Sequence, residues 1–482
     1  MELNYIGSGK IFFQSKEYDC HLYINEKQGG ILIKIDISCV CVNFLELPIE
    51  LSYISGRLNN GFCFTLHTCF RTKTEDFISR KKSVLSYTAK YMFKGILSES
   101  ENNYSFNKII FELSNIIEWG GLSGYSIGTG YELKVSNVTE KMLYQNNDFE
   151  IKYFVQSSML PWSESNLLKE NIILKQNGNI EITFKNEKTI DDFELIFTKI
   201  KRLIELSTLK NISLTKMIGM SKNYKQSIDD YEIESPIDII SYKFTEVINN
   251  KKERPISYGW IQLEELINND SFRNYFNKYD VLEPIVELYI EIIESQDMSP
   301  VRKFLNLTQA LETYHARFKA NTLSEFKHRI DEVILKNRPT AFQSSDRAYL
   351  LNSSQKSVSL ESRLMDLLLA DFEIYFSTGD IKRFEFPRVI AKTRNYYTHY
   401  NEALKNNERI LTKEELDIYN TVLLYILEYY LLKELGFSDM YKIKQKLNKR
   451  WGDISTLFDL KKASQKKFEN IQKNIDENES VE

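Results

Sequence analysis

Apolar residues recur along this chain with two different periods, and the change from one to the other is what most restricts its fold. Through roughly the first 190 positions they alternate or cluster in short runs. Ile11–Phe13, His21–Ile24, Ile31–Val42 and Phe62–Phe70 are dense in β-branched and aromatic types, as strands are. Asn59-Asn60-Gly61 lies between such runs, and so does Asn177-Gly178, between Ile172–Leu174 and Ile180–Phe184; both predict hairpin turns. At Thr189 the period lengthens. Thr189 offers an N-cap, Asp191 and Asp192 follow in the first turn, and Phe193, Ile196, Phe197, Ile200, Leu203 and Ile204 fall on one helical stripe. Ile212–Phe244 returns to strand-like composition, so the N-terminal region reads as β-rich with one or two packed helices, ending near residue 280.

From Val281 onward the pattern is helical. Leu282–Ser295 and Pro300–Ala320 are amphipathic, the second through Phe304, Leu307, Leu311, Tyr314 and Phe318. Residues Asn337–Ser357 are polar and predict a loop. Leu360–Phe376 and Pro387–Leu404 give two more helices, with Pro387 suited to a first turn. Thr412-Lys413-Glu414-Glu415 is a capping box ahead of the strongly apolar Leu416–Leu435, and Gly436 is its stop. The expected class is an α+β multidomain protein: a β-rich region over 1–280, an all-α bundle over 281–452, and a polar, flexible tail over 453–482. A chain of 482 residues exceeds what one core usually organises.

Several functions are set aside by composition. A formal net charge of −4 excludes a general polyanion binder, so nucleic-acid contact would need a local basic patch. Met1-Glu2-Leu3-Asn4 lacks the basic start and apolar run of a secretory signal, and no apolar stretch of about 18 residues suggests a membrane span. The expected location is the cytoplasm. The 5 cysteines (Cys20, Cys39, Cys41, Cys63 and Cys69) are odd in number, which argues against a disulfide framework. Cys63, His67 and Cys69 share one strand face, but at about 3.3 Å per residue the two thiols stand roughly 20 Å apart, too far for one metal ion. No metal or cofactor is expected. Gly120-Gly121-Leu122-Ser123-Gly124 fits neither phosphate-binding fingerprint and reads as a turn. Trp119, Trp162, Trp260 and Trp451 read as packing residues.

The chemistry-bearing stretch is Lys392-Thr393-Arg394-Asn395-Tyr396-Tyr397-Thr398-His399-Tyr400-Asn401. On a helix Asn395 and His399 share a face, and Arg394 lies about 140° around from His399, within reach of a common cleft through its long side chain. RNA cleavage needs little more. The ribose 2′-OH attacks its own 3′-phosphate once a base takes the proton and an acid protonates the departing 5′-oxygen. Imidazole suits either task, and a guanidinium stabilises the charge gathering on phosphorus. Products are a 2′,3′-cyclic phosphate and a 5′-hydroxyl, with no metal required.

Arg-Asn-Tyr-Tyr-Thr-His resembles the Arg-x4–6-His motif of the HEPN superfamily, including a polar residue after the arginine. With FLNLTQALETYHARF at Phe304–Phe318, the stretch resembles the ApeA-like HEPN domain of bacterial anti-phage proteins, and the β-rich first 280 residues are similar in size and placement to that family's N-terminal domain. The resemblance implies an endoribonuclease of abortive-infection defence, a homodimer whose paired motifs flank one RNA cleft, an RNA substrate (tRNA among the candidates) and a phage-encoded trigger. It implies His399 as general base or acid, Arg394 on the scissile phosphate, and Asn395 orienting one or the other. Glu312 and His315, one turn apart on the second helix, would line the same cleft.

Plainer readings stand beside these. His399 also fits a helix end, and His315 fits a structural pair with Glu312. Tyr396, Tyr397 and Tyr400 suit base stacking, and equally a core or dimer contact. Arg388, Lys392, Arg394, Lys405 and Arg409 outnumber Glu402 and Glu408, as in a phosphate-guiding patch or a solvated face. Two other functions remain open: a non-catalytic helical module that binds a nucleotide or partner, with a β-rich ligand-recognition domain, and an interaction protein whose β-sandwich recognises carbohydrate or protein.

Overall fold

The computed structural model describes residues 3–454 except 15, 28–29, 39–46, 98–104, 131, 136–139, 158–173, 229–230, 245–259, 296, 337–343, 353, 377–384 and 401. Cys39, Cys41, Trp162 and nearly all of the expected tail lie outside the described residues, as does most of the run expected before Asn177. The chain divides into two compact units, Met1–Glu265 and Leu266–Glu482.

In the first unit six antiparallel strands close a barrel: β1 (Asn4–Phe13), β2 (Lys16–Asn25), β3 (Gly30–Ile37), β4 (Glu50–Leu58), β5 (Cys63–Phe77) and β6 (Lys82–Lys94). They run in the order β6-β3-β2-β1-β4-β5, and β5 pairs back onto β6. Alternation is clean in β3, where Ile31, Ile33, Ile35 and Ile37 are buried. Asn59-Asn60-Gly61 makes the expected β4–β5 turn, with Gly61 at φ +86°. β1 and β4 approach so closely that a Cβ on Gly9 would stand 2.2 Å from the Arg57 carbonyl oxygen.

The chain continues through β7 (Ser105–Leu113), α1 (Ile117–Gly120), the hairpin β8–β9 (Tyr125–Ile127, Leu133–Val135), β10 (Lys141–Gln145), β11 (Phe149–Ser157), β12 (Gln176–Thr189), α2 (Ile190–Thr208), β13 (Leu214–Met220), the hairpin β14–β15 (Lys225–Ile228, Tyr231–Glu234) and β16 (Ile237–Ser241). The larger strands form a run β16-β13-β7-β12-β11-β10 that attaches to the barrel through β6. Along one edge β6 pairs with β3 over Ser83–Thr88, then with β16 over Tyr91–Phe93. Helix α2 starts at the Thr189 capping box and seals this run, stacking Phe197 on Phe111 at 4.2 Å. Asn177-Gly178 is not a turn. It lies inside β12, between Leu113 and Val155, and a Cβ at Gly178 would stand 2.5 Å from the Ile116 side chain, so this glycine serves close packing.

Helices follow: α3 (Leu263–Asn268), α4 (Ser271–Glu294), α5 (Pro300–Phe318), α6 (Leu323–Lys336), α7 (Ser344–Leu350), α8 (Leu360–Phe376), α9 (Glu385–His399), α10 (Glu402–Asn407), α11 (Lys413–Glu434) and α12 (Met440–Trp451). Helix α4 begins well before Leu282, α6 was not signalled, and α7 sits inside the expected loop. The expected helix to Leu404 stops at His399, where Tyr400 takes φ +49°. Helix α11 is the centre of the second unit, buried on nearly every face as its apolar composition requires, and it packs on α5 and α12.

Two carboxylates are embedded around α11. Glu428 is fully buried and accepts from Tyr289 Oη (2.5 Å) and Trp451 Nε1 (2.6 Å) while pairing with Arg450 (3.1 Å). Trp451 therefore does more than pack. Asp371, on α8, takes Lys319 at 2.9 Å, Lys433 at 2.8 Å and the Tyr430 hydroxyl at 2.7 Å.

Candidate active site

Helices α5, α8 and α9 pack on one another, and each brings charged side chains to the junction. Helix α9 buries Phe386, Val389, Ile390, Thr393 and Tyr397. Thr393 Oγ1 accepts from Leu411 N at 3.1 Å, and the Tyr397 hydroxyl donates to Leu411 O at 3.0 Å, so the buried face is pinned to the segment entering α11. Burial raises the Tyr397 hydroxyl pKa, with the Tyr396 and Tyr400 phenols adding to it. The opposite face, with Asn395, Thr398 and His399, is left to solvent.

Arg394 lies between these faces. Its Nη2 pairs with Glu312 Oε2 on α5 at 3.5 Å, both side chains 35% exposed, and its Nη1 donates to Asn395 Oδ1 at 3.4 Å. The fold thus brings together Arg394, Asn395 and Glu312 on an accessible surface. His399 closes the same helix on the exposed side, and its side chain makes no hydrogen bond or ion pair among the described residues. Tyr396 packs its ring against Tyr397 (5.1 Å) and Tyr400 (5.8 Å), and only the last of these is largely exposed.

His315 is not on this surface. One turn beyond Glu312 it points inward, with 0% exposure, so it cannot touch a substrate, and its partner is not Glu312. Nε2 meets Asp366 Oδ2 at 2.8 Å, and Nδ1 meets Arg363 Nη1 at 3.0 Å. Arg329 of α6 closes an ion pair on the same Asp366 oxygen. Burial lowers the His315 pKa, with Asp366 pulling the other way. Arg363, Asp366 and Arg329 were not singled out by sequence. The i,i+3 spacing of Arg363 and Asp366 on α8 is the one signal they carry, and it is common on helices.

The basic residues on and after α9 are paired with carboxylates, two of them sharing one. Lys392 Nζ lies 3.0 Å from Glu408 Oε1 and Arg388 Nη2 lies 3.0 Å from Glu408 Oε2, while Arg409 reaches Glu415 at 3.8 Å. Side-chain hydrogen bonding from Lys392, with Arg388 assisting, lowers the Glu408 pKa. The thiols of Cys20 and Cys69 are buried, and burial pushes Cys20 up to about 12. Among the described residues no helix is long and apolar enough to cross a membrane.

An all-helical domain that carries Arg394 and His399 toward the exposed end of one helix follows a β-rich domain, the two-part layout expected of the HEPN class. Residues 305–441 match the family model described as Apea-like HEPN, and residues 4–279 match that of ApeA N-terminal domain 1. The chain belongs to the ApeA-like family of anti-phage HEPN-domain proteins. No curated protein and no solved structure matches it significantly.

Proposed function

We propose that this protein is a metal-independent endoribonuclease of abortive-infection defence, acting on RNA in the cytoplasm as a homodimer through its HEPN domain. The observation that carries the reading is the exposed Arg394–Asn395 pair with His399 one helical turn on, held on a rigid helix by Thr393 and Tyr397. In this mechanism His399 takes the 2′-OH proton, the 2′-oxygen bonds to phosphorus, and the P–O5′ bond breaks as a second acid, the twin motif's imidazole, protonates the leaving oxygen. Arg394 bears on the non-bridging oxygens, exchanging Glu312 for phosphate as RNA arrives. The test is an RNA-cleavage assay with EDTA present. Once triggered, wild-type protein yields 2′,3′-cyclic phosphate and 5′-hydroxyl ends; unchanged cutting by triggered His399→Ala removes the assignment.

The β-rich domain is proposed to keep the nuclease silent until a phage product binds. A cavity of about 910 Å³ supports a sensing role: it opens where β6 changes partners and is lined by His67, Thr68, Phe70, Lys90 and Tyr242. Thr68 there holds φ +53°, a strained conformation for a β-branched residue. A cut at residue 280 would split α4 (Ser271–Glu294), so the test is expression of residues 263–482, which keeps α3 and α4 whole, with toxicity expected and a harmless, folded fragment refuting the idea. A non-catalytic phosphate-gripping module is the second reading. The observation favouring it is that Glu312 already occupies Arg394, and absence of cutting under every trigger tried would select it.

A further inference from the structure

One turn along α5 from Glu312, the partner of Arg394, His315 holds a second guanidinium that the mechanism above does not use. Arg363 of α8 spends Nη1 on two neutral acceptors, His315 Nδ1 at 3.0 Å and the Ala320 carbonyl at 3.3 Å. Its Nε is buried and has no hydrogen-bond partner among the described residues. Neutral acceptors fix the plane of a guanidinium without cancelling its charge. Burial works against that charge, and the carboxylate that sustains it electrostatically is Glu312, the same one that pairs with Arg394 at 3.5 Å. Glu312 thus pairs directly with one arginine and favours the charge of a second at longer range.

The local charge is unbalanced. Asp366 is matched by Arg329, and His315 is neutral because a guanidinium can only donate to its Nδ1. Arg363, Arg394 and Glu312 are left with one positive charge in excess, which is what a phosphodiester with its single negative charge would complete. A buried ionic chain is seldom kept for stability alone, since apolar side chains of similar volume usually serve at least as well. Here its geometric product is a part-buried guanidinium held at a set angle on α8, against the His315 turn of α5 that follows Glu312.

We propose that Arg363 is a second phosphate-binding arginine of this site, aimed by the buried His315–Asp366–Arg329 chain. The substrate class, RNA, rests on the ribonuclease reading. With Glu312 displaced, the two guanidiniums grip one phosphodiester or two successive ones.

The experiment measures binding of a short single-stranded RNA to the full-length His399→Ala protein as a function of salt. For a single strand, every phosphate that the protein ceases to neutralise makes the slope of log K against log salt shallower by about 0.7. Arg363→Gln is expected to weaken binding about tenfold at low salt and to lower the slope by that amount. Arg363→Lys should weaken binding and keep the slope. A parental slope in Arg363→Gln overturns the proposal. Glu312→Gln alters a part-exposed side chain, so it probes the site without stressing the core; it should tighten binding several-fold, and weaker or unchanged binding overturns the proposal as well. His315→Gln, whose amide can accept from Arg363 and donate to Asp366, should match the parent, whereas His315→Leu should behave like Arg363→Gln; if both match the parent, the buried chain does not aim Arg363. RNA bound with these slopes but never cut by the wild type under any trigger tried would leave Arg363 assigned and remove the nuclease reading. Cutting with a slope indifferent to Arg363 would do the reverse, and no binding by the parent would overturn both.

Discussion

Arg363 and His315 meet through one hydrogen bond, Nη1 to Nδ1 at 3.0 Å, and that bond determines where the imidazole proton lies. Nδ1 must be bare to accept, so the hydrogen is on Nε2, directed at Asp366 2.8 Å away. The ring is neutral, oriented and out of reach of solvent.

This makes His315 a source of pH-dependent stability. Burial holds its pKa below the ordinary 6.5, so as the pH falls through 6.5 the unfolded chain takes up a proton that the folded protein refuses. Stability is expected to fall as the pH drops from about 6.5 toward the depressed value. Thermal melts across that window should show the decline, and His315→Gln should flatten it. An unchanged decline in that variant would locate the effect elsewhere.

Arg394→Ala should leave folding almost intact, because the side chain is part-exposed and its ion pair with Glu312 is of the kind worth about 0–1 kcal/mol. RNA cleavage should fall about 100- to 1,000-fold, the usual loss when a group stabilising transition-state charge is removed. Arg394→Lys, keeping charge but not the planar fork, should recover only part of the rate. Single-turnover cleavage together with a melting curve separates the two effects.

Asp371 anchors α8 to α5 and α11. Burial favours its protonation, but Lys319 and Lys433 outweigh this and hold the carboxyl at about 2, below its ordinary 3.8. In acid the unfolded carboxyl protonates first, so the contribution is whole above about pH 4 and disappears as the pH falls through about 2. The shift corresponds to roughly 2 kcal/mol. Asp371→Asn should cost about that much at neutral pH in a urea titration, and little at the lowest pH where the fold survives.

Glu428→Ala should destabilise the helical unit by about 3 kcal/mol or more, because it breaks the buried ion pair with Arg450 and removes the acceptor of Tyr289 and Trp451 together. Loss of the Trp451 bond should also shift tryptophan emission. In the barrel, Gly9→Ala forces a methyl against the Arg57 carbonyl, and a cost of about 1–3 kcal/mol is expected in denaturant titration.

Local signals carried much of this architecture into the sequence. The Thr189 and Thr412 capping boxes start α2 and α11 where their residue types predict, and Asn59-Asn60-Gly61 turns the chain because a positive φ is needed there. Asn177-Gly178 misled because the same dipeptide also answers a different need, room for the Ile116 side chain against the sheet. The premature end of α9 depends on Tyr400 accepting a conformation that its own chemistry disfavours. Of the candidate site, Arg394, Asn395 and His399 can be proposed from sequence because one helix carries them within six residues. Arg329, Arg363 and Asp366 become neighbours of His315 only when α5, α6 and α8 pack, and no spacing along the chain announces that.

β6 also bears on how the N-terminal region can be dissected. Residues 4–94 contain every strand of the barrel, yet that fragment alone would carry a raw seam: without β16, the backbone amides and carbonyls of Tyr91–Phe93 lose their ladder along one margin. The excised barrel would be primed to recruit a stray strand from another molecule, so the smallest well-behaved piece of this region must extend at least to Ser241.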